Sequence, residues 1–362
     1  MRNGLDDVIA AETALSDIDG VAGRLVIGGR SLDELVGKAR YEEVLGLLFS
    51  GLFEALDGNA LPAALGRARK ELFTRAPMAG DPLLALPVTD AVRVLIAGLN
   101  DGVDLRDALA LVAAPAVFTP AVIRAKRGER PIAPDPSLGH AADILQMLHG
   151  RAPSQEQAAA LGAYLVTVSD HGLNASTFAA RVVASTHAGL TSSVLAALGA
   201  LKGPLHGGAP GPVLDMFDAI LRPEAAEAWL NDALRRGERV MGFGHRVYRV
   251  RDPRADALKR AGERLASSSG DPGGRYALAE AIEAAALRIL ADRKPGHALK
   301  TNVEFYTALL LEGLGFPRES FTLAFAMGRV GGWIAHAREQ ALFGRLIRPQ
   351  SKYVGPRPDR AA

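Results

Sequence analysis

The sequence predicts an all-α protein with a small β-hairpin near its N-terminus. Alanine and leucine dominate the 362 residues, and most long windows place apolar residues at positions i, i+3, i+4 and i+7. Runs in which apolar and polar residues alternate, as they do in a half-buried strand, are scarce. Helix stop signals support the same class, because Gly237 directly follows Arg235 and Arg236.

The elements follow in order along the chain. Two short strands are predicted at residues 16–20 and 23–28, paired around a glycine turn. Residues 108–123 are the most apolar stretch, and Pro115 and Pro120 inside it predict a buried helix–turn–helix rather than one helix. This stretch is also shorter than the roughly 20 residues that a membrane span requires. Amphipathic helices are predicted at residues 41–56, 158–168, 225–234 and 277–289, and irregular segments at residues 124–138, 205–213 and 267–274.

The composition excludes several classes of function. The chain has no cysteine, which rules out disulfide scaffolds, thiolate zinc sites and cysteine nucleophiles. A net charge of +2 is too small to predict a nucleic-acid partner. The N-terminus turns acidic within seven residues and has no apolar signal segment. We therefore expect a cytoplasmic protein with no membrane partner.

Familiar catalytic motifs are missing from the sequence. The run from Gly242 to Gly244 begins like a dinucleotide-binding fingerprint, but the third glycine is absent and no alternation of strands and helices surrounds it. The sequence also contains no phosphate-binding loop of the G-x-x-x-x-G-K-[ST] type, no H-E-x-x-H helix and no G-x-S-x-G elbow. Nucleotide hydrolysis, zinc-protease chemistry and α/β-hydrolase chemistry thus have no support.

Three histidines lie in turns rich in Gly, Asp or Asn. His206 is flanked by glycines that allow a backbone to approach a ligand closely, and His245 and His171 lie in similar settings. Taken singly, each is more often a helix cap or a satisfied core residue. Together with Glu304, an isolated acid, they indicate acid–base chemistry.

Glu304 has apolar neighbours on both sides. Val303, Phe305 and Ala308 are expected to raise the pKa of its carboxyl group towards that of a usable general base. The alternative for Glu304 considered alone is an ordinary glutamate that faces solvent.

Read together, six segments resemble citrate synthase and its relative 2-methylcitrate synthase. Their order and spacing are similar to those of the family, and the resemblance covers nearly the whole chain. The segments are Ser169-Asp-His-Gly-Leu-Asn-Ala-Ser-Thr177, Gly203-Pro-Leu-His-Gly-Gly208, Gly242-Phe-Gly-His-Arg-Val-Tyr248 with Asp252-Pro-Arg254, Asn302-Val-Glu-Phe-Tyr306, Gly328-Arg-Val-Gly-Gly-Trp333 and Arg348-Pro349.

The resemblance implies a helical homodimer in which a small domain closes over the site. By this resemblance the small domain, which binds acyl-CoA, spans residues 209–308. The large dimerisation domain then comprises residues 1–208 and 309–362. The implied reaction condenses acetyl-CoA, oxaloacetate and water to citrate and coenzyme A, with no cofactor and no metal.

The resemblance also implies a role for each matching residue. His206 takes the position that hydrogen-bonds the thioester oxygen, Glu304 that of the base, and His245 that of the group that polarises the keto carbonyl. Residues that resemble the oxaloacetate ligands are His171, Arg254, Arg329 and Arg348, of which Arg348 reaches across the dimer. Residues implied to contact coenzyme A are Phe243, Gly244, Arg246 and Lys300, although Lys300 can equally be a solvated lysine at a helix start.

Two departures from the family pattern stand out. The usual base is aspartate, and the extra methylene of Glu304 moves the carboxylate by roughly a bond length. After Gly208, the usual Ala-Asn-Glu continuation is replaced by Ala209-Pro-Gly-Pro212. Two alternatives stay open: a synthase that prefers propionyl-CoA, and a weakly catalytic protein that binds acyl-CoA or keto acids.

Overall fold

The computed structural model describes residues 8–54, 60–206, 210–245, 247–269, 274–293 and 299–356. Within these ranges, α-helices account for most of the chain, as the sequence predicts. The helices are α1 (Leu32–Leu35), α2 (Tyr41–Phe49), α3 (Ala60–Phe73), α4 (Val88–Ala97), α5 (Leu105–Lys126), α6 (His140–His149), α7 (Gln155–Thr167), α8 (Ala175–Ala184), α9 (Leu190–Leu201), α10 (Pro210–Ile220), α11 (Ala226–Arg235), α12 (Pro253–Ser269), α13 (Arg275–Arg293), α14 (Val303–Gly313) and α15 (Phe321–Phe343).

A small antiparallel sheet lies near the N-terminus. Strands β1 (Ser16–Asp19) and β2 (Arg24–Ile27) form the predicted hairpin, with Ser16 opposite Ile27. A third strand, β3 (Arg30–Ser31), pairs with β2. It was not predicted, because two residues are too few to give an alternating pattern.

Helix α5 corrects the predicted helix–turn–helix at residues 108–123. It is one continuous helix of 22 residues with Pro115 and Pro120 inside it. Each proline removes one helix hydrogen bond, at a cost of about 3 kcal/mol, but burial of nearly every residue from Ala108 to Ala125 offsets this. The helix is long and apolar enough to span a membrane, and 89% of its most apolar window is buried inside the structure.

Helix α15 lies at the centre of the fold. It packs against α2, α5, α7, α8 and α9, and almost all of its first twenty residues are buried. Its glycines allow close approach: a Cβ at Gly328 would meet Leu165 on α7, and one at Gly331 would meet Leu45 on α2. The Tyr41 hydroxyl donates to the backbone oxygen of Gly328 at 2.9 Å. Arg329 is thereby held beside α7.

Helices α10 to α14 form a second group of contacts. Helix α10 packs on α14, α11 packs on α13, and α12 packs on both α14 and α7. Helix α10 begins at Pro210, inside the segment predicted to be irregular, because proline fits the first turn of a helix. Residues 207–209, which include Ala209 at the start of the departure after Gly208, lie outside the described residues.

Candidate active site

His206 lies just after α9 and contacts the N-terminus of α8. Its Nε2 is 3.2 Å from the backbone nitrogen of Ser176 and 2.8 Å from the Ser176 Oγ. Because a backbone N–H can only donate, Nε2 is an acceptor, and neutral His206 carries its proton on Nδ1. Burial, with a smaller contribution from Arg329, lowers the pKa of His206 to about 4. The ring is therefore a neutral donor at physiological pH.

Ser176 is held from two sides. Asn174 caps α8, and its Oδ1 accepts the backbone N–H groups of Ser176 and Thr177, each at 3.1 Å. From α15, the Trp333 Nε1 donates to the Ser176 Oγ at 3.1 Å. Since Ser176 and Trp333 are buried, the orientation of His206 is fixed by packing between helices.

A glycine turn places His245 next to the start of α14. Gly242 and Gly244 have φ angles of +84° and +85°, which favour glycine. A Cβ at Gly242 would lie 2.8 Å from the ring of Phe305. The Gly244 nitrogen donates to the Lys300 oxygen at 2.7 Å, and the Asn302 side chain donates to the Gly244 oxygen at 2.9 Å. These bonds bring His245 and Glu304 into one site.

The protonation of His245 is set by its own turn. Its Nδ1 accepts the backbone N–H groups of Val247 and Tyr248 at 3.0 and 3.1 Å, so the proton of the neutral ring is on Nε2. Burial and the neighbouring Arg254 lower the pKa of His245 to about 4, although Asp252 opposes this shift. The protonated Nε2 lies 3.2 Å from the Arg254 Nη2. An oxygen atom of a ligand can accept from both donors.

Arg254 and His171 lie beside His245 in the site. The Arg254 Nε and Nη2 contact the two oxygens of Asp252 at 3.1 and 2.8 Å, and both side chains are buried. The second oxygen of Asp252 also accepts the backbone N–H of Val303 at 3.2 Å, which ties the pair to α14. His171 is buried with its Nε2 3.2 Å from the Tyr248 hydroxyl, and burial lowers its pKa well below the ordinary value.

Arg329 carries an unused hydrogen-bond donor. Its Nε donates to the Val168 oxygen at 2.5 Å, and its guanidinium lies 4.8 Å from the centre of the Phe325 ring. The Nη2 atom is buried and has no partner. Burial lowers the pKa of Arg329 to about 10, so the side chain is still charged at neutral pH. A buried cation with an unsatisfied donor is a strong site for a carboxylate.

Glu304 lies in the first turn of α14, where its backbone nitrogen donates to the Asn302 cap at 3.0 Å. Its Oε2 is buried without a hydrogen-bond partner, which excludes the solvent-facing alternative. Burial raises the pKa of Glu304 to about 7, and Asp252 adds to the shift while Arg254 and Arg329 oppose it. The carboxyl group is thus poised to exchange a proton near neutral pH.

The remaining predicted residues are placed as follows. Phe243 is half-buried and packs edge-on against Phe305, with ring centres 5.3 Å apart. The Lys300 side chain is exposed just before the Asn302 cap, and Arg348 is exposed on the C-terminal segment. Arg246 lies outside the described residues. Among the described residues, no cluster of three or more His, Asp or Glu side chains is arranged to hold a metal ion.

Comparisons with known proteins show which family this chain belongs to. The family described as citrate synthase, C-terminal domain, matches residues 4–350. The chain belongs to the citrate synthase family. The citrate synthase of Haloferax volcanii is 40% identical, with 98% of this chain and 96% of that protein covered.

Solved structures of citrate synthases share the fold. That of the Pyrobaculum aerophilum citrate synthase is 33% identical and has a TM-score of 0.84, covering 98% of this chain and 93% of that one. That of the Thermoplasma acidophilum citrate synthase, in a ternary complex with carboxymethyl coenzyme A and oxaloacetate, is 30% identical and has a TM-score of 0.85. It covers 98% of this chain and 96% of its own.

Sequence reasoning missed several residues of this citrate synthase site. Ser176 and Trp333 lie within the family segments, and Asp252 lies two residues before Arg254, but no role was assigned to them. Tyr164 on α7 was not predicted. Its buried hydroxyl has no partner, and burial raises its pKa, an effect to which Glu304 adds and which Arg329 opposes. In the sequence, Tyr164 has mainly apolar neighbours, and such neighbours are typical of a core residue.

Proposed function

We propose that this protein is a citrate synthase that condenses acetyl-CoA with oxaloacetate and water to give citrate and coenzyme A. The observation that carries the proposal is the buried, unpartnered Oε2 of Glu304 in a site with an unpaired guanidinium nitrogen of Arg329. The Glu304 carboxylate can remove a proton from a weak carbon acid. The Arg329 guanidinium can bind a carboxylate of the keto acid with which that carbon acid reacts. The bound ligands of the Thermoplasma acidophilum enzyme support the same assignment.

The first step is removal of a proton from the methyl group of acetyl-CoA. Glu304 accepts this proton, and the electron pair of the C–H bond forms the enolate. The Nδ1–H of neutral His206 donates a hydrogen bond to the thioester oxygen, where the negative charge develops. Such a positioned donor lowers the barrier most in a site that excludes water.

The second step is attack of the enolate carbon on the keto carbon of oxaloacetate. The His245 Nε2–H and the Arg254 Nη2 lie 3.2 Å apart, where they can polarise the keto oxygen or hold an adjacent carboxylate oxygen. Arg329, with His171 nearby, binds a carboxylate. The new carbon–carbon bond leaves an alkoxide, which takes the Nε2 proton of His245 to give citryl-CoA. Water then hydrolyses the thioester to release citrate and coenzyme A. We assign contacts with coenzyme A to Phe243, Gly244, Arg246 and Lys300.

The C-terminal segment supports a homodimer. Large apolar side chains are exposed there, including Phe343 at 73% and Val354 at 88%. Burying them requires a partner surface, and we propose that a second copy of this chain supplies it, with Arg348 entering the partner's site. Mixed dimers of two inactive variants, His245→Ala and Arg348→Ala, should then regain activity once subunits exchange. No recovery after proven exchange would contradict a shared site.

Closure of residues 209–308 over the site is also proposed. Among these residues α10 and α12 pack on α14 and α11 packs on α13, and the boundary at residue 308 lies inside α14. Closure would exclude water during condensation, as the enolate requires.

The test of the proposed function is release of thiol from acetyl-CoA in the presence of oxaloacetate. A thiol-reactive dye reports only coenzyme A, because the chain has no cysteine. We expect faster release from acetyl-CoA than from propionyl-CoA. The two differ by one methylene, which a pocket distinguishes by about 1–3 kcal/mol. Faster release from propionyl-CoA would indicate a 2-methylcitrate synthase, and tight oxaloacetate binding without release would indicate a binding protein.

A further inference from the structure

Glu283 on α13 accepts hydrogen bonds from residues on both sides of Glu304 in the sequence. Its Oε1 accepts the Thr301 hydroxyl at 2.6 Å, and its Oε2 accepts the Tyr306 hydroxyl at 2.7 Å. Thr301 precedes the Asn302 cap of α14, and Tyr306 lies within the first turn and a half of that helix. Glu283 is only 6% exposed. The start of α14 is therefore fixed by one buried carboxylate on a different helix.

The same carboxylate also holds the segment between His245 and Arg254. Arg251 lies in this segment, and its Nη1 donates to the Glu283 Oε1 at 2.7 Å and approaches the Thr301 hydroxyl at 3.3 Å. The Nε of Arg251 pairs with Asp256 in the first turn of α12. Glu283 thus joins α13 to the two segments that bear the base and the keto-activating donors.

The charge of Glu283 is stable at neutral pH. Burial by itself would raise its pKa, but the hydrogen bonds from Thr301, Tyr306 and Arg251 hold the pKa below the ordinary value. Lys259 lies near the other oxygen, at 3.9 Å. A buried carboxylate with every oxygen occupied is rigid, and removing its charge leaves donors without an acceptor.

We propose that Glu283 is a positioning residue for catalysis, which sets the place of the Glu304 carboxylate relative to His245 and Arg254. The proposal rests on the proposed function of the site. A glutamate base has one more rotatable bond than the aspartate usual in the family, so its backbone must be held more firmly to keep the carboxylate in place. A displacement of about 1 Å can cost about 10²-fold in rate.

The test compares Glu283→Gln with Glu280→Gln. Glu280 is on the same helix, is 60% exposed and contacts Lys259 at 3.1 Å, so its variant controls for loss of a carboxylate from α13. Glu283→Gln should lower kcat by about 10²-fold. The Kd of oxaloacetate should change by less than about 3-fold, since Asp252 holds Arg254 independently. Glu280→Gln should match the wild type.

The pH profile separates positioning from general destabilisation. The groups that face Glu304 are Arg254, Asp252, Arg329 and Tyr164, and Glu283→Gln leaves all four in the chain. Loosening the start of α14 should admit water to the Glu304 carboxyl and move the acidic limb of the kcat profile to lower pH. A variant that only unfolds more readily would keep the limb where it is.

Tyr306→Phe removes one hydrogen bond to Glu283, and Thr301→Val removes one to Glu283 and a longer one from Arg251, each with little change in shape. Each should lower kcat, and combining either with Glu283→Gln should add little further loss. These two variants decide the question if Glu283→Gln does not fold, as judged by circular dichroism. A folded Glu283→Gln with wild-type kcat and pH profile would overturn the proposal but leave the proposed function intact. A wild-type protein that releases no thiol would overturn both.

Discussion

The Nε2 of His245 lies 3.2 Å from the Nη2 of Arg254, and both atoms are hydrogen-bond donors. The arrangement follows from the backbone, because the N–H groups of Val247 and Tyr248 occupy the Nδ1 of the ring. The Arg254 Nη2 also donates to the Asp252 Oδ2 at 2.8 Å, so the Nε2–H of His245 is the donor left for an oxygen of a ligand. This unsatisfied geometry is what makes the turn after Gly242 suitable for activating a carbonyl group.

His245→Asn should therefore impair the chemical step more than binding. We expect kcat to fall by about 10²–10³-fold, the loss typical of one donor to a developing oxyanion, while oxaloacetate still binds through the arginines. Steady-state kinetics and calorimetric titration measure the two effects. His149→Gln is the matched control, because His149 is half-buried and contacts the Leu314 oxygen at 2.8 Å. Equal losses in both variants would count against a special role for His245.

Arg329→Lys should weaken oxaloacetate binding by roughly 10-fold or more, since lysine cannot supply the planar fork that pairs with a carboxylate. Arg338→Lys is a close control on the same helix. The Arg338 Nε also donates to a backbone oxygen, that of Leu52 at 3.2 Å, and its guanidinium also lies over a ring, that of Phe53. Titration with oxaloacetate should separate the two variants, and an unchanged Kd for Arg329→Lys would be inconsistent with its assignment.

The rate should depend on pH through Glu304. A base must be deprotonated to act, and the pKa of Glu304 is about 7. Therefore kcat/KM for acetyl-CoA should rise with pH up to about 7 and level off above it. His206 and His245, each with a pKa of about 4, stay neutral throughout this range. A rate that is constant from pH 5 to pH 8 would contradict the raised pKa of Glu304.

Gly332→Ala should destabilise the fold and disturb the loop that carries His171. A Cβ at Gly332 would press on the backbone oxygen of Ser169 and lie 2.9 Å from the Asp170 Oδ1. We expect a loss of about 1–3 kcal/mol in the free energy of unfolding, as for other overpacked sites. Gly46→Ala, on the exposed side of α2, should instead be neutral or stabilise by up to about 1 kcal/mol. Denaturant unfolding of both variants provides the comparison.

Helix α5 illustrates where local rules fail for the fold. Pro115 and Pro120 predict a break, yet the helix is continuous because its surroundings bury it almost completely. The helix predicted at residues 41–56 ends at Phe49 for a related reason: the apolar pattern continues, but the chain turns at Gly51, where φ is +74°. In both places tertiary packing or backbone conformation overrides the periodicity that a sequence displays.

The sequence could predict those parts of the site that lie within short continuous segments of the chain. His206, His245 and Glu304 could be proposed as site residues because each has distinctive neighbours along the chain. The contacts that orient His206 and hold the start of α14 could not, because they come from distant positions: Ser176 is 30 residues from His206, and Glu283 is 23 residues from Tyr306. Nor could the sequence reveal that the Arg329 Nη2 is left unpaired, since this depends on how α15 packs on α7.

Glu304 is the base of the proposed reaction, and Glu304→Gln isolates this role. With acetyl-CoA and oxaloacetate at saturation, thiol release should fall by about 10²–10⁴-fold, the usual contribution of a general base. The Kd of oxaloacetate should remain close to that of the wild type. Glu304→Asp, which retains the carboxylate, should keep measurable activity. A Glu304→Gln variant that releases thiol at the wild-type rate would rule out Glu304 as the base.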